Sequence, residues 1–60
     1  MKKAELVKYL KEHGCKKIGE GGKHETWLNT ANNIQFPISR APGDVPKPVF
    51  HRILREAGLK

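Results

Sequence analysis

The stretch CKKIGEGGKHETWLNTANNIQFPI, residues 15–38, decides the fold, because two turn signals divide it into three short runs. The turn signals are Gly21-Gly22 and Asn32-Asn33, residue types that tolerate a positive φ in tight turns. Each run is long enough for one strand, and Pro37 places the third strand at an edge or ends it early. The predicted strands lie at about residues 15–20, 23–29 and 34–38. The apolar residues expected to pack from them are Ile18, Trp27, Ile34, Phe36 and Ile38.

An amphipathic helix is predicted on each side of this stretch. Residues 3–13 place Leu6, Val7 and Leu10 on one stripe, and Gly14 can close the helix in a left-handed conformation. After a loop at residues 39–45, apolar residues again recur at helical spacing up to Gly58, where Leu59 can fold back onto the last turn. The apolar positions of this second helix are Val49, Phe50, Ile53, Leu54 and Ala57.

The order of elements predicts the fold class. One helix, three consecutive strands and a second helix cannot alternate into a parallel βαβ sheet. A three-stranded antiparallel sheet with both helices on one face buries all the apolar stripes at once. We therefore expect an α+β fold in which residues 1–60 form a single domain.

The charge of the chain predicts an anionic partner. Twelve Lys and Arg residues face six Asp and Glu residues, so the formal net charge is +6. Nucleic acid, an acidic protein and a membrane surface all satisfy this requirement. A lone cysteine, Cys15, excludes an intrachain disulfide and favours a reducing, cytoplasmic location. Glu5, Lys8 and Lys11 interrupt the apolar start of the chain, so neither a signal peptide nor a membrane segment is expected.

A histidine at the start of the second strand is the candidate catalytic residue. Strand alternation turns Lys23, Glu25 and Trp27 toward the helices and leaves His24 on the exposed face. Histidine titrates near neutrality, so His24 can exchange a proton with a 2′-hydroxyl or a leaving 5′-oxygen during RNA cleavage. Lys23 would help to hold the phosphate. On spacing alone, however, a surface histidine with no chemical role is the better-supported interpretation.

The sequence gives less support to a metal site, a cofactor site or an extended RNA-binding surface. His13, Cys15, His24 and His51 lack the spacing of metal ligands, and no cofactor-binding motif is present, so neither a metal nor a cofactor is expected. Several basic residues lie clear of the apolar stripes and could together follow a phosphate backbone. An ordinary solvated helix face is an equally good interpretation of those on the last helix. The basic residues in question are Lys23, Arg40, Lys47, Arg52 and Arg55, with His51 beside them.

Taken end to end, the chain resembles the HicA toxin family of bacterial and archaeal toxin–antitoxin modules. The resemblance covers the opening AELVKYLKEHG, Gly22-Lys23-His24 ahead of an aromatic Trp27, a strand ending in Phe36-Pro37, and the closing VFHRILREAGL. It implies a double-stranded-RNA-binding-like α-β-β-β-α fold. It also implies a type II toxin that cleaves mRNA as a metal-independent endoribonuclease and is silenced by a HicB-type antitoxin.

The resemblance raises the standing of His24, which matches the position of the family's catalytic histidine. Two residues depart from the family pattern: Lys23 stands where Ser is usual, and Glu25 stands where a second His is frequent. Lys23 adds a cation for phosphate binding, whereas Glu25 removes a possible auxiliary base. The residues expected to contact RNA are Gly22, Lys23, Arg40, Lys47 and Arg52.

Two other classes of function remain open at this point. A non-catalytic module of the same fold would bind structured RNA through shape and phosphate contacts. A protein-interaction domain would use its positive face to dock an acidic protein. Cleavage of RNA separates the enzyme from the binding module, and steep salt dependence of RNA binding would count against the interaction domain.

Overall fold

The computed structural model describes all of residues 1–60, which form an α-β-β-β-α chain with a three-stranded antiparallel sheet. The predicted fold class is confirmed, and the boundaries of the elements differ from the predicted ones by one or two residues. Lys23 lies in the turn before the second strand rather than within the strand. The elements are α1 (Lys3–Glu12), β1 (Cys15–Gly21), β2 (His24–Asn29), β3 (Ile34–Ser39) and α2 (Lys47–Glu56).

The sheet has the order β1-β2-β3, so β2 is central and β3 is an edge strand. The edge position of Pro37 is confirmed, although β3 continues past it to Ser39 with Pro37 opposite Thr26. An edge strand accommodates proline because one side of its ladder needs no donor. A register shift between Lys17 and Gly19 leaves Ile18 43% exposed. The prediction that Ile18 packs inward is therefore wrong, because a bulge redirects side chains that simple alternation would bury.

Both helices pack on one face of the sheet around a single core. Leu6 and Leu10 of α1 are fully buried, as is Ala57 just after α2. Trp27 and Phe36 face each other across β2 and β3, and each is only 2% exposed. Ile34, at the outer end of β3, is 39% exposed and contributes less than predicted. The cluster comprises Leu6, Leu10, Cys15, Trp27, Phe36, Ile38, Ile53 and Ala57.

The loop between β3 and α2 is fixed to the N-terminus of the chain. The Lys3 backbone amide donates to the Gly43 carbonyl at 2.9 Å, and the terminal amine of Met1 donates to the Val45 carbonyl at 3.1 Å. Lys2 also forms an isolated antiparallel bridge with Asp44. These contacts hold the loop against the start of α1, so it forms a defined wall.

The C-terminal end of α2 closes as the sequence predicts. Gly58 has a φ of +76°, and the Leu59 amide donates to the Leu54 carbonyl at 2.8 Å, the pattern of a Schellman closure. Leu59 packs against the core. Neither helix has the length and apolar character needed to cross a membrane.

Candidate functional site

His24 lies at the end of the sheet, as the first residue of the central strand. It pairs with Gly21 on β1 and with Ser39 on β3. The turn before it needs Gly22, whose φ of +55° is unfavourable for other residues. His24 is exposed, as predicted, and its neighbour Glu25 is half-buried.

Glu25 is held in a network of polar contacts beneath this histidine. The Trp27 indole donates to Glu25 Oε1 at 2.9 Å, and Lys3 Nζ donates to Glu25 Oε2 at 3.3 Å. Lys3 Nζ also donates to the Ser39 carbonyl at 2.8 Å. Burial acts to raise the pKa of the Glu25 carboxyl, but the hydrogen bonds from Trp27 and Lys3 outweigh it and hold that pKa below its ordinary value. Glu25 is thus an ionised structural group.

A cavity of about 430 Å³ opens beside His24, between β3, α2 and the loop at residues 41–46. Arg52 reaches the same cavity from α2, and Lys3 reaches it from α1. Two carboxylate residues, Asp44 and Glu56, complete its charged lining. The Arg52 Nε lies 3.6 Å from Glu56 Oε1, so the guanidinium is partly compensated. The fold therefore joins an imidazole, two cations and two carboxylates around one space.

A second hollow, of about 370 Å³, adjoins the first and is lined by Gly22, Lys23, Ser39, Arg40 and Ala41. Ser39 and Ala41 line both spaces. Arg40 is fixed there because its Nη1 donates to the Gly22 carbonyl at 3.0 Å and its Nη2 lies 3.2 Å from a Glu20 carboxylate oxygen.

Glu20, the acidic partner of Arg40, is itself an exposed and ionised group. A hydrogen bond from Lys17, followed by the charges of Lys17 and Arg40, lowers the pKa of the Glu20 carboxyl. Glu20 therefore offsets part of the positive charge at Arg40, and Lys23 is the uncompensated cation of the second hollow.

The residues predicted to bind RNA divide into three groups in the structure. Gly22, Lys23 and Arg40 come together in the second hollow, and Arg52 lines the first cavity with His24. Lys47 begins α2, is exposed and lines neither space. Sequence reasoning missed Lys3, Asp44 and Glu56, because no motif surrounds them and only the packing of distant segments brings them to the cavity.

The other two histidines lie outside both spaces. The His13 ring stacks on Tyr9 with a centroid distance of 4.1 Å, and His51 Nδ1 lies 2.8 Å from Lys60 Nζ. His24 is therefore the one imidazole that lines the cavity. No group of three or more His, Cys, Asp or Glu residues is arranged to hold a metal ion.

The protein is a small basic α-β-β-β-α domain in which one histidine lies beside two hollows lined with cations. These features are typical of compact domains that bind anionic partners. The family model described as the HicA toxin of bacterial toxin–antitoxin matches residues 4–59, nearly the whole chain. The chain belongs to the HicA toxin family, so it is a toxin of a toxin–antitoxin module and has an antitoxin as its partner. No curated protein and no solved structure gives a significant match.

Proposed function

We propose that this toxin is a metal-independent endoribonuclease that cleaves mRNA with His24 as its catalytic residue. The observation that carries the proposal is the position of His24, exposed at the end of the central strand, where it lines a cavity together with Arg52 and adjoins a second hollow that holds Lys23 and Arg40. A proton-transfer group next to cationic side chains that can hold a phosphate is an arrangement suited to RNA cleavage.

The chemistry assigns separate roles to the imidazole and the cations. The 2′-oxygen bonds to phosphorus as the bond from phosphorus to the 5′-oxygen breaks. His24 either accepts the proton of the attacking 2′-hydroxyl or donates one to the leaving 5′-oxygen, and water exchanges the other proton. Lys23 and Arg40 hold the phosphate in the second hollow and stabilise the negative charge that develops on it. Gly22 allows the backbone of the turn to come close to the RNA, since it carries no side chain. Lys47 and Arg52 extend the positive surface along α2.

The nature of the partner follows from the same charges. A HicB-type antitoxin with an acidic surface would cover His24 and the two hollows, since opposite charges steer association and fix its register. The chain carries a net charge of +6, so an acidic partner also relieves its self-repulsion.

The test of this function is cleavage of RNA by the purified chain with EDTA present, compared with His24→Ala between pH 5 and pH 8. We expect His24→Ala to lose about 10²- to 10⁴-fold in rate, the usual contribution of one proton-transfer group. His51→Ala is the matched control, since that exposed imidazole contacts Lys60 outside both spaces. Equal cleavage by His24→Ala and the native chain would refute the assignment, and cleavage abolished by EDTA would refute metal independence.

Growth inhibition gives an independent measure of the same residue. Expression of the native chain without antitoxin is expected to stop growth, and His24→Ala is expected to be harmless while keeping its circular dichroism spectrum. Because His24 is exposed, His24→Ala should still fold, and a loss of toxicity would then reflect the loss of the imidazole.

A second candidate function is non-catalytic binding of structured RNA. One observation favours it. The resemblance leads one to expect a second histidine at position 25, but the residue there is Glu25, which accepts hydrogen bonds from Trp27 and Lys3. The site therefore has a single imidazole. RNA that is bound at low salt but never cleaved, by the native chain and His24→Ala alike, would establish this function instead.

A further inference from the structure

The proposed catalytic step does not explain the size and the lining of the cavity beside His24. Its volume of about 430 Å³ lies within the range of small-molecule pockets, about 300–1,000 Å³. Phosphate binding and proton transfer need only the exposed imidazole and the neighbouring cations. Part of the lining is apolar: Val45 and Val49 are half-buried, and Leu6, Ile38 and Ile53 belong to the core and expose at most 3% of their surface.

We propose that this cavity binds a nucleobase of the RNA, the one next to the cleaved phosphate, and that Glu56 selects guanine. The base-binding role rests on the proposed function, because it places the base beside the bond that His24 cleaves. Sequence-specific recognition of RNA generally uses bases that are splayed out of the strand, packed on side chains and hydrogen-bonded at their edges. A mixed apolar and polar cavity beside the catalytic histidine fits such a base.

The walls of the cavity are rigid, as base selection requires. The loop wall is tied to the N-terminus through Lys3 to Gly43 and Met1 to Val45. Pro42 and Pro46 lie in this wall and restrict its backbone further. The opposite wall is α2, anchored in the core by Ile53. A preorganised pocket loses less entropy when it takes up its ligand.

The charged lining favours guanine over the other bases. A carboxylate only accepts hydrogen bonds, and guanine is the base whose Watson–Crick edge presents two adjacent donors, N1–H and the N2 amino group. Glu56 lines the cavity from α2, and its ion pair with Arg52 spans 3.6 Å, which is longer than a hydrogen bond. Its oxygens therefore keep their capacity to accept from a base. Asp44 offers a second acceptor from the loop wall.

Binding of the four nucleoside 5′-monophosphates to the native chain, followed by NMR chemical-shift titration, tests this role without any cleavage. GMP is expected to bind between about 5-fold and 100-fold more tightly than AMP, CMP or UMP, the discrimination typical of a bidentate contact to a base. The largest shifts are expected at Val49, Ile53 and Glu56. Glu56→Gln should remove the preference for GMP, whereas Glu12→Gln, on the exposed part of α1, should keep it.

The outcomes separate this role from the proposed function. Equal affinity for the four nucleotides, or shifts confined to Gly22, Lys23 and Arg40, would overturn base binding while leaving the ribonuclease intact. A preference for GMP in a chain that never cleaves RNA would support the base site and overturn the ribonuclease. If the native chain cuts RNA, mapping of the cut ends should show guanine next to the cut, and Glu56→Gln should lose that bias.

Discussion

At the scale of single residues, Glu25 shows how a charged side chain can become structural. Its side chain is 14% exposed, and that of Lys3 is 18% exposed, so both partners of the ion pair are largely removed from water. The Trp27 indole and the Lys3 ammonium together satisfy both carboxylate oxygens. A buried carboxylate that keeps all its partners is tolerated, whereas removal of its charge leaves the Lys3 ammonium without an anionic partner and with the Ser39 carbonyl as its remaining acceptor.

Glu25→Gln is therefore expected to destabilise the fold by about 1–3 kcal/mol, the cost of leaving a largely buried charged group without its partner. Urea unfolding at pH 7 measures this change. Glu12→Gln, an exposed residue of α1, is the control and should change the stability by no more than about 0.5 kcal/mol. A stability for Glu25→Gln equal to that of the control would show that the network contributes nothing.

The same carboxylate makes stability depend on pH in the acid range. Because the pKa of Glu25 is lower in the folded chain than in the unfolded chain, its stabilisation is complete above the unfolded value of about 4.3. It is lost as the pH falls through the folded value. The free energy of unfolding should thus drop more steeply below about pH 4.3 in the native chain than in Glu25→Gln. Parallel pH profiles for the two chains would contradict this assignment.

At the scale of elements, the end of α2 is locked to the turn between β2 and β3. Asn29, only 2% exposed, donates to the Ala57 carbonyl at 2.7 Å and accepts from the Ala31 amide at 3.0 Å. Asn32 donates to the same Ala57 carbonyl at 3.1 Å. The last residue of β2 and a residue of the turn after it thus satisfy a carbonyl that the helix leaves open, which fixes α2 and the Glu56 that it carries.

Gly58→Ala tests this junction. Gly58 has a φ of +76°, and a Cβ there would lie 3.3 Å from Ile34 Cδ1 and too close to the Asn32 amide nitrogen. Gly22→Ala is the matched control, since Gly22 has a φ of +55° with open space around its Cβ position. We expect the control to lose about 1–2 kcal/mol from backbone strain and Gly58→Ala to lose about 1–3 kcal/mol more from overpacking. Thermal unfolding measures both, and equal losses would show that Asn32 moves aside freely.

At the scale of the whole molecule, the net charge of +6 is spread over a body of about 27 × 24 × 17 Å. Several cations are compensated locally: Lys3 by Glu25, Lys17 and Arg40 by Glu20, and Arg52 by Glu56. Lys23, which lines the second hollow, and Lys47, which begins α2, form no ion pair. Among the residues expected to bind RNA, these two lysines are therefore the cations whose charge no carboxylate offsets, whereas Arg40 and Arg52 are paired.

Lys23→Gln should lower the dependence of RNA affinity on salt. Removal of one phosphate contact reduces the slope of log K against log salt concentration by about 0.7 to 0.9. Binding of a non-cleavable RNA analogue between about 50 and 200 mM salt measures the slope. Lys11→Gln, an exposed lysine near the end of α1, should leave it unchanged. Equal slopes for all three chains would remove Lys23 from the RNA interface.

The sequence by itself determined the order of elements, the antiparallel sheet, the helix closures at Gly14 and Gly58, both with a positive φ, and the exposure of His24. These features follow from local patterns: the period of apolar residues, the turn chemistry of Gly and Asn, and alternation along β2. Local patterns failed at Ile18, where a bulge between Lys17 and Gly19 overrides alternation. They also gave no sign that Asn29 is buried, because its partner Ala57 belongs to another element.

Only the tertiary structure decided what surrounds His24. The cavity exists because α1, β3, α2 and the loop at residues 41–46 converge there, and it gathers Lys3, Asp44, Arg52 and Glu56 from distant parts of the chain. Glu25 likewise became a structural group through contact with Lys3, which lies on another element. Periodicity and turn signals act between neighbours in sequence, whereas a cavity and its charge depend on contacts that form only when the whole core packs.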